Sequence, residues 1–167
     1  ATANSFGARW FDEQWHAQFD QPEWKNTLDF YVKHGGYEGL KKAVARKPEE
    51  LIEEVKKSGL RGRGGGGFPT GKKWASCYES KDEIKYVICN ADEGDPGAYQ
   101  DRSLLEGNPH SVVEGMIIGA YAIGSEEGYV YVRDEYPLAV SNMRCAIDQA
   151  KDHGLLGRNI LGTELNF

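Results

Sequence analysis

Ser58–Trp74, SGLRGRGGGGFPTGKKW, holds seven glycines, at 59, 62, 64, 65, 66, 67 and 71. Glycine loses the most backbone freedom on folding and brings no side chain to pack, so four in a row do not serve stability. They serve a place where backbone must come close to something else. Successive bare amides can turn inward as a nest for an anion. Arg61, Arg63, Lys72 and Lys73 bracket the run with positive charge, and Phe68 adds an apolar face. The stretch is expected to form a loop that cradles a phosphorylated, aromatic ligand. A flexible glycine linker is the plainer alternative. Phe68-Pro69, Trp74 and the four cations speak against it.

Two familiar templates overlap the loop and neither fits. Gly62–Gly67 satisfies G-x-G-x-x-G, but that fingerprint follows a strand, and a helical segment precedes it here. Gly66–Lys72 satisfies G-x-x-x-x-G-K, but Lys73 stands where a P-loop needs Ser or Thr for Mg²⁺.

Upstream, Gly35–Arg46 reads as a short helix. A second helix, PEELIEEVKKSG, starts at Pro48. Proline suits the first helical position, Glu49 and Glu50 the first turn, Lys56 and Lys57 the last, and Gly59 the position after the end. This helix delivers the chain into the glycine loop. Residues 1–34 form a first segment, rich in aromatics: Phe6, Trp10, Phe11, Trp15, Phe19, Trp24 and Phe30. They show no clean helical period and read as an extended arm docked on the core, with a subunit contact as the sharper alternative. Residues 35–167 form the domain proper.

Downstream, Lys73–Ser80 reads as a helix and Tyr86–Cys89 as a buried strand, with Cys89 buried in it. The strand ends in Asn90-Ala91-Asp92-Glu93-Gly94-Asp95-Pro96-Gly97. Ligands of open α/β sheets bind at such strand ends. A solvated acidic turn remains the alternative. A calcium loop is excluded because Asp95 replaces its required glycine and no helix leads in. Asn108-Pro109 then starts a helix ending at Gly124, Gly128–Val132 is a strand, and Pro137–Asp152 a helix. Strand, helix, strand and helix imply parallel pairing. His153 closes the last helix, where its charge complements the dipole. Leu161–Phe167 alternates and reads as the start of a strand, so the chain is expected to be a fragment.

Composition bounds the rest. The 167 residues suffice for one domain, and a net charge of −6 argues against a nucleic-acid partner. No run of eighteen apolar residues occurs, so no membrane insertion is expected. ATANSFGARW has neither the basic nor the apolar part of a signal peptide, and the missing Met points to a processed, trimmed or excised start. Cys77, Cys89 and Cys145 make no C-x-x-C, so no metal site is expected within the chain. A reducing, cytoplasmic setting fits these thiols.

Ser58–Trp74 and Cys89–Arg102, CNADEGDPGAYQDR, closely resemble the flavin-bearing subunit of respiratory complex I and its counterparts in NAD-linked hydrogenases and formate dehydrogenases. The resemblance runs from about Gly35 to Phe167. It implies an α/β fold, a partly parallel sheet flanked by helices, of the complex I flavoprotein type and not a true Rossmann fold. It implies FMN as cofactor, NAD(H) as substrate, and single electrons passed to a 4Fe-4S cluster held elsewhere, among iron–sulfur protein subunits of a larger complex. Such a subunit can sit peripherally on the cytoplasmic side of a membrane complex. By motif position, Gly62, Arg63, Gly64, Gly65 and Gly66 would line the flavin and its phosphate. Lys73 would donate near the ligand, and Asn90, Asp92 and Glu93 would contact the flavin or its ribityl chain. Phe68 would stack on the NADH adenine, and Asp95 would face the adenosine ribose. Hydride transfer needs no general acid or base, so no catalytic residue is assigned. Gly66 stands where the family often has Ala, and Asp95 where it often has Glu. The family's later flavin motif, ubiquitin-like segment and cysteine-rich helical domain are absent, so the chain is expected to carry about half of the flavin pocket and no iron, and to be inactive alone. The alternatives are a non-catalytic interaction domain and a flavin-free nucleotide-binding module.

Overall fold

Proline opens three of the helices and glycine closes two. The computed structural model describes residues 27–95 and 97–167. Their order is α1 (Leu28–Lys33), α2 (Glu38–Val44), α3 (Pro48–Ser58), α4 (Thr70–Glu79), β1 (Tyr86–Ala91), α5 (Asp101–Gly107), α6 (Pro109–Ile123), β2 (Glu127–Val132), α7 (Pro137–Asp152) and a 3-10 turn, Ile160–Gly162. Pro48, Pro109 and Pro137 each open a helix. Gly59 (φ 70°) and Gly124 (φ 72°) take the left-handed conformation that closes α3 and α6.

β1 and β2 pair in parallel, as the strand–helix–strand order predicts, in a register from Tyr86↔Glu127 to Ala91↔Val132. The central helix α6 packs against both strands on one side and against α2, α3, α4, α5 and α7 on others. Ile117 and Ala120 of α6 are fully buried at this centre. The result is a helix-rich α/β fold with a small parallel sheet.

Three expectations need correction. First, β1 is not buried on both faces. Val87, Cys89 and Ala91 point inward, while Tyr86, Ile88, Tyr129 and Tyr131 form an outer face that is 48–66% exposed. Cys89 is accordingly half-buried, although burial still pushes its thiol pKa up. The burial period is 2, the mark of a one-sided sheet. Second, Leu161–Phe167 does not begin a strand. The chain folds back on itself, and Gly157 and Phe167 exchange backbone hydrogen bonds at 2.6 and 2.9 Å. Leu165 and Phe167 of the alternating stretch pack against the core instead, and the Phe167 ring lies where a Cβ on Gly128 of β2 would meet it at 2.4 Å.

Third, the last residues of the expected arm are helical rather than extended. Of its aromatics, Phe6, Trp10, Phe11, Trp15, Phe19 and Trp24 lie outside the described residues. Thr27 caps α1 by accepting from the Phe30 amide, and Leu28 and Tyr31 are buried. Tyr31 enters a polar network with Glu114 of α6. Glu114 Oε2 accepts from the Tyr31 hydroxyl at 2.6 Å and from the Tyr37 amide at 2.9 Å. Its Oε1 accepts from the Leu40 amide at 2.9 Å. Burial, then the neighbouring Glu114 carboxylate, raises both the Tyr31 and Tyr37 phenols far above their ordinary range.

His110 continues the network. Its Nδ1 lies 3.0 Å from the Tyr37 hydroxyl and its Nε2 lies 2.9 Å from Gln149 Oε1, which also accepts from the Leu28 amide. Since the Gln149 oxygen only accepts, Nε2 donates, and in the neutral ring Nδ1 accepts from the Tyr37 hydroxyl. Burial is the main cause that lowers its pKa below the ordinary 6.5. The unfolded chain therefore binds the proton first. The stability contributed by neutral His110 is full above about pH 6.5 and is lost as pH falls through the lowered folded value. Thermal midpoints at pH 7.5 and 5.5 check this. The fall between them should be smaller in His110→Asn than in the wild type, and equal falls would remove His110 from the acid sensitivity.

Candidate functional site

The glycine loop leaves α3 at Gly59 and re-enters a helix at Thr70. Its stem is fixed by backbone bonds from Thr70 N to Leu60 O and from Gly62 N to Phe68 O, both 2.9 Å, with an isolated antiparallel bridge between Arg61 and Pro69. The Arg61 guanidinium donates to Gly67 O at 2.9 Å. A linker would show no such closure. Inside the stem, the amides from Arg63 to Gly67 donate to no group among the described residues. Gly65 (φ 93°) and Gly67 (φ 58°) adopt left-handed backbone. A Cβ on Gly64, Gly65, Gly66 or Gly67 would meet nothing within 4 Å. The loop is therefore not crowded by its own chain, and the space beside these amides is open.

The charge pattern around the loop is one-sided. Lys72 and Lys73 lie in the first turn of α4, which carries no acidic residue. The positive end of a helix dipole disfavours cations there by a few tenths to about 1 kcal/mol each. Arg63, Lys72 and Lys73 are exposed and form no ion pair among the described residues. A bound anion reconciles free amides, dipole and cations at once. Phe68 stands beside them, 55% exposed. These residues fit a phosphate group joined to an aromatic system. Behind the stem, α4 crosses α3 so closely that a Cβ on Gly71 would lie 2.5 Å from Lys56 N.

The second group lies at the C-terminal end of β1. Asn90 Oδ1 accepts from the Asp92 amide at 3.2 Å, and Asp95 Oδ1 from the Gly97 amide at 3.1 Å. Asp92 Oδ2 is ion-paired to Arg133 Nη2 at 3.1 Å. Glu93 sits at φ 46°. Its carboxylate accepts from the amides of Gln100, Asp101 (3.0 Å) and Arg102 (2.8 Å), so it caps α5. The turn is thus neither fully solvated nor free. Asn90 and Asp95 stay exposed, while Asp92 and Glu93 are half-buried and engaged. Burial first, then the Glu93 charge, raises the Asp101 pKa.

Gly62, Arg63, Gly64, Gly65, Gly66, Phe68 and Lys73 thus share one loop–helix unit, and Asn90, Asp92, Glu93 and Asp95 share one turn. No hydrogen bond or ion pair joins the two groups among the described residues. Both rest on α6: β1 packs on it, and Trp74 of α4 lies 3.4 Å from where a Cβ of Gly119 would be. Sequence reasoning missed Arg102, Arg133 and Tyr136, which tether the turn. The parallel pairing itself was the available signal: with Ala91 opposite Val132, Asp92 and Arg133 leave the sheet side by side. Among the described residues no three His, Cys, Asp or Glu side chains converge to hold a metal, and no helix is long and apolar enough to cross a membrane.

The chain is similar to known proteins in sequence and in fold. Residues 55–165 match a family described as the Nuo51 FMN-binding domain. The chain is 54% identical over 149 residues to the HndC subunit of the NADP-reducing hydrogenase of Solidesulfovibrio fructosivorans, covering 89% of this chain and 30% of that protein. It is 51% identical to a subunit of the NADH-quinone oxidoreductase of Aquifex aeolicus (83% and 32% covered) and 48% identical to the corresponding NADH-quinone oxidoreductase subunit of Escherichia coli (92% and 34%). The chain spans about a third of the length of these curated relatives. Among solved structures, an NAD+-reducing NiFe-hydrogenase in its air-oxidized state matches with a TM-score of 0.65 and 37% identity, over 76% of this chain and 23% of that one. The H2-reduced state matches with a TM-score of 0.62 and 40% identity, over 66% and 19%.

Proposed function

Because the chain belongs to the family of Nuo51 FMN-binding domains, we propose that it supplies the phosphate side of the flavin site in a multi-subunit NAD(P)H-linked dehydrogenase or hydrogenase. The observation that carries this is the closed glycine loop, whose amides from Arg63 to Gly67 have no acceptor among the described residues, in one loop–helix unit with Arg63, Lys72 and Lys73. Gly62, Arg63, Gly64, Gly65, Gly66 and Lys73 would hold the FMN phosphate. Asn90 and Asp92 would accept from ribityl hydroxyls. Glu93 would serve the same wall of the pocket, by its main chain or by leaving its cap. Phe68 would stack on the adenine of the nucleotide. Bound FMN would supply the conversion of hydride chemistry into single-electron steps. The electrons would pass to a 4Fe-4S cluster in another part of the complete protein or in iron–sulfur partner subunits. A cytoplasmic position follows from the same reading.

The test separates phosphate recognition from flavin recognition. Fluorescence titration of the complete protein with FMN and with riboflavin should show FMN bound at least about tenfold more tightly, about 1.4 kcal/mol. Equal affinities would overturn the phosphate cradle, and binding of neither would overturn the flavin reading.

Asp95 would decide between NADH and NADPH. The side chain is exposed and held by the Gly97 amide, at the mouth of the turn. A carboxylate there would accept from the ribose 2′-OH and repel a 2′-phosphate. Like charges about 4 Å apart at an effective dielectric near 20 cost about 4 kcal/mol before screening. A fraction of that exceeds a decade. Asp95→Asn in the complete protein is expected to weaken NADH use modestly and raise kcat/KM for NADPH by at least about tenfold. Steady-state oxidation of both nucleotides measures it. An unchanged ratio would make Asp95 a solvated turn residue only.

A further inference from the structure

We propose that Arg133 is a positioning residue that sets the Asn90–Gly97 turn for the flavin. The proposal rests on the flavin reading above and goes beyond it, since Arg133 belongs to neither group of expected ligand contacts. The sheet register places Arg133 beside Asp92 just past the paired ends Ala91 and Val132. Its Nη2 is 3.1 Å from Asp92 Oδ2. The same nitrogen would lie 3.0 Å from a Cβ on Gly94, so the guanidinium also covers the backbone of the turn. The main chain beyond Arg133 turns at once, through Tyr136 N to Arg133 O at 3.2 Å. That turn brings the Tyr136 hydroxyl to Glu93 O, to which it donates at 3.2 Å. Arg102 closes the set, with its guanidinium carbon 5.4 Å from the centre of the Tyr136 ring. The end of β2 thus grips the turn at Asp92, Glu93 and Gly94.

This grip has a use that stability does not explain. The Arg133 and Asp92 side chains are 33% and 35% exposed, and such pairs contribute little to global stability. Yet Glu93 holds a left-handed backbone at φ 46°, which persists only where its surroundings impose it. Arg133 fixes the direction of the Asp92 carboxylate and leaves its second oxygen for the ligand. A planar guanidinium does this better than an ammonium, whose single point of charge leaves direction open.

The experiment uses the complete protein with Arg133→Ala and Arg133→Lys. Three quantities are read: the apo thermal midpoint, FMN affinity by fluorescence titration, and amide exchange at Asp92 and Gly97 without flavin. Expected for Arg133→Ala is a thermal midpoint close to wild type, FMN affinity weaker by about tenfold, and exchange at both amides at least about fivefold faster. Arg133→Lys should recover part of both losses. Unchanged affinity and exchange would overturn the proposal. So would a loss of affinity that appears only with a collapse of the thermal midpoint, which is the mark of a merely structural residue. If the wild type itself binds no FMN, the flavin reading fails separately, and the role of Arg133 toward the flavin falls with it. The exchange data would then report only whether Arg133 orders the turn.

Discussion

Glu114→Ala is expected to destabilise the domain by about 3–5 kcal/mol, because each orphaned buried donor costs about 1–3 kcal/mol and entering water relieves part of the total. Three donors lose their acceptor together: the Tyr31 hydroxyl and the amides of Tyr37 and Leu40. The two amides belong to backbone at the start of α2, so no rotamer change can turn them elsewhere. The site is also built to fit the carboxylate. A Cβ on Gly39 would lie 2.8 Å from Glu114 Oε1, so only glycine lets the group approach. Glu114→Gln keeps the shape and one acceptor oxygen. With that oxygen at the Oε2 position, Tyr31 and Tyr37 stay satisfied and only the Leu40 amide faces an NH₂. Its cost should therefore be about a third to a half of the Ala cost. Urea unfolding of the three proteins measures both. A loss below about 1 kcal/mol in Glu114→Ala would show that water serves these donors as well as the carboxylate does.

Gly71→Ala is expected to destabilise by about 3 kcal/mol, at the upper end of ordinary overpacking. The added Cβ would meet Lys56 N at 2.5 Å and Lys56 Cα at 2.7 Å. Both are main-chain atoms, so α3 and α4 must separate. That movement reaches the ligand, because the loop stem joins these two helices and Lys72 and Lys73 follow Gly71 directly. FMN affinity should fall with stability. Gly64→Val is the contrast. Its Cβ meets nothing within 4 Å, and its backbone is not left-handed. Stability should hold, while FMN affinity falls because the new side chain fills space the phosphate would take. Thermal melts paired with FMN titration separate the two variants. A Gly71→Ala protein as stable as wild type would mean the helices part at little cost.

Local chemistry made α3, α6 and α7 legible. Each starts at a proline, and two end at a left-handed glycine, so the signal lies within the residues themselves. The closure of the glycine loop was legible for a similar reason: Phe68-Pro69, Trp74 and the four cations are not the residues of a flexible linker. What escaped needs partners distant in sequence. α5 is capped by Glu93, seven or more residues upstream of the amides it serves, and no local capping pattern announces that. Arg133 acts on a residue 41 positions away, through a register that only the pairing fixes. The outer face of β1 was misread because tyrosines and Ile88 look like core residues when only their hydrophobicity is weighed. The chain end was misread because alternation has two solutions, a paired strand or a loop folded on itself.

The Tyr31–Glu114 contact also bears on how this protein can be trimmed. A fusion or minimal domain cut at the arm boundary, before Gly35, would keep every residue of the glycine loop and the acidic turn. It would remove the Tyr31 hydroxyl from Glu114 and the Leu28 amide from Gln149, and uncover the ring face of His110. The damage would fall on α6, on which both ligand groups rest. Any shortened version meant to keep the site has to begin before Thr27, whose hydroxyl starts the helix that completes the network.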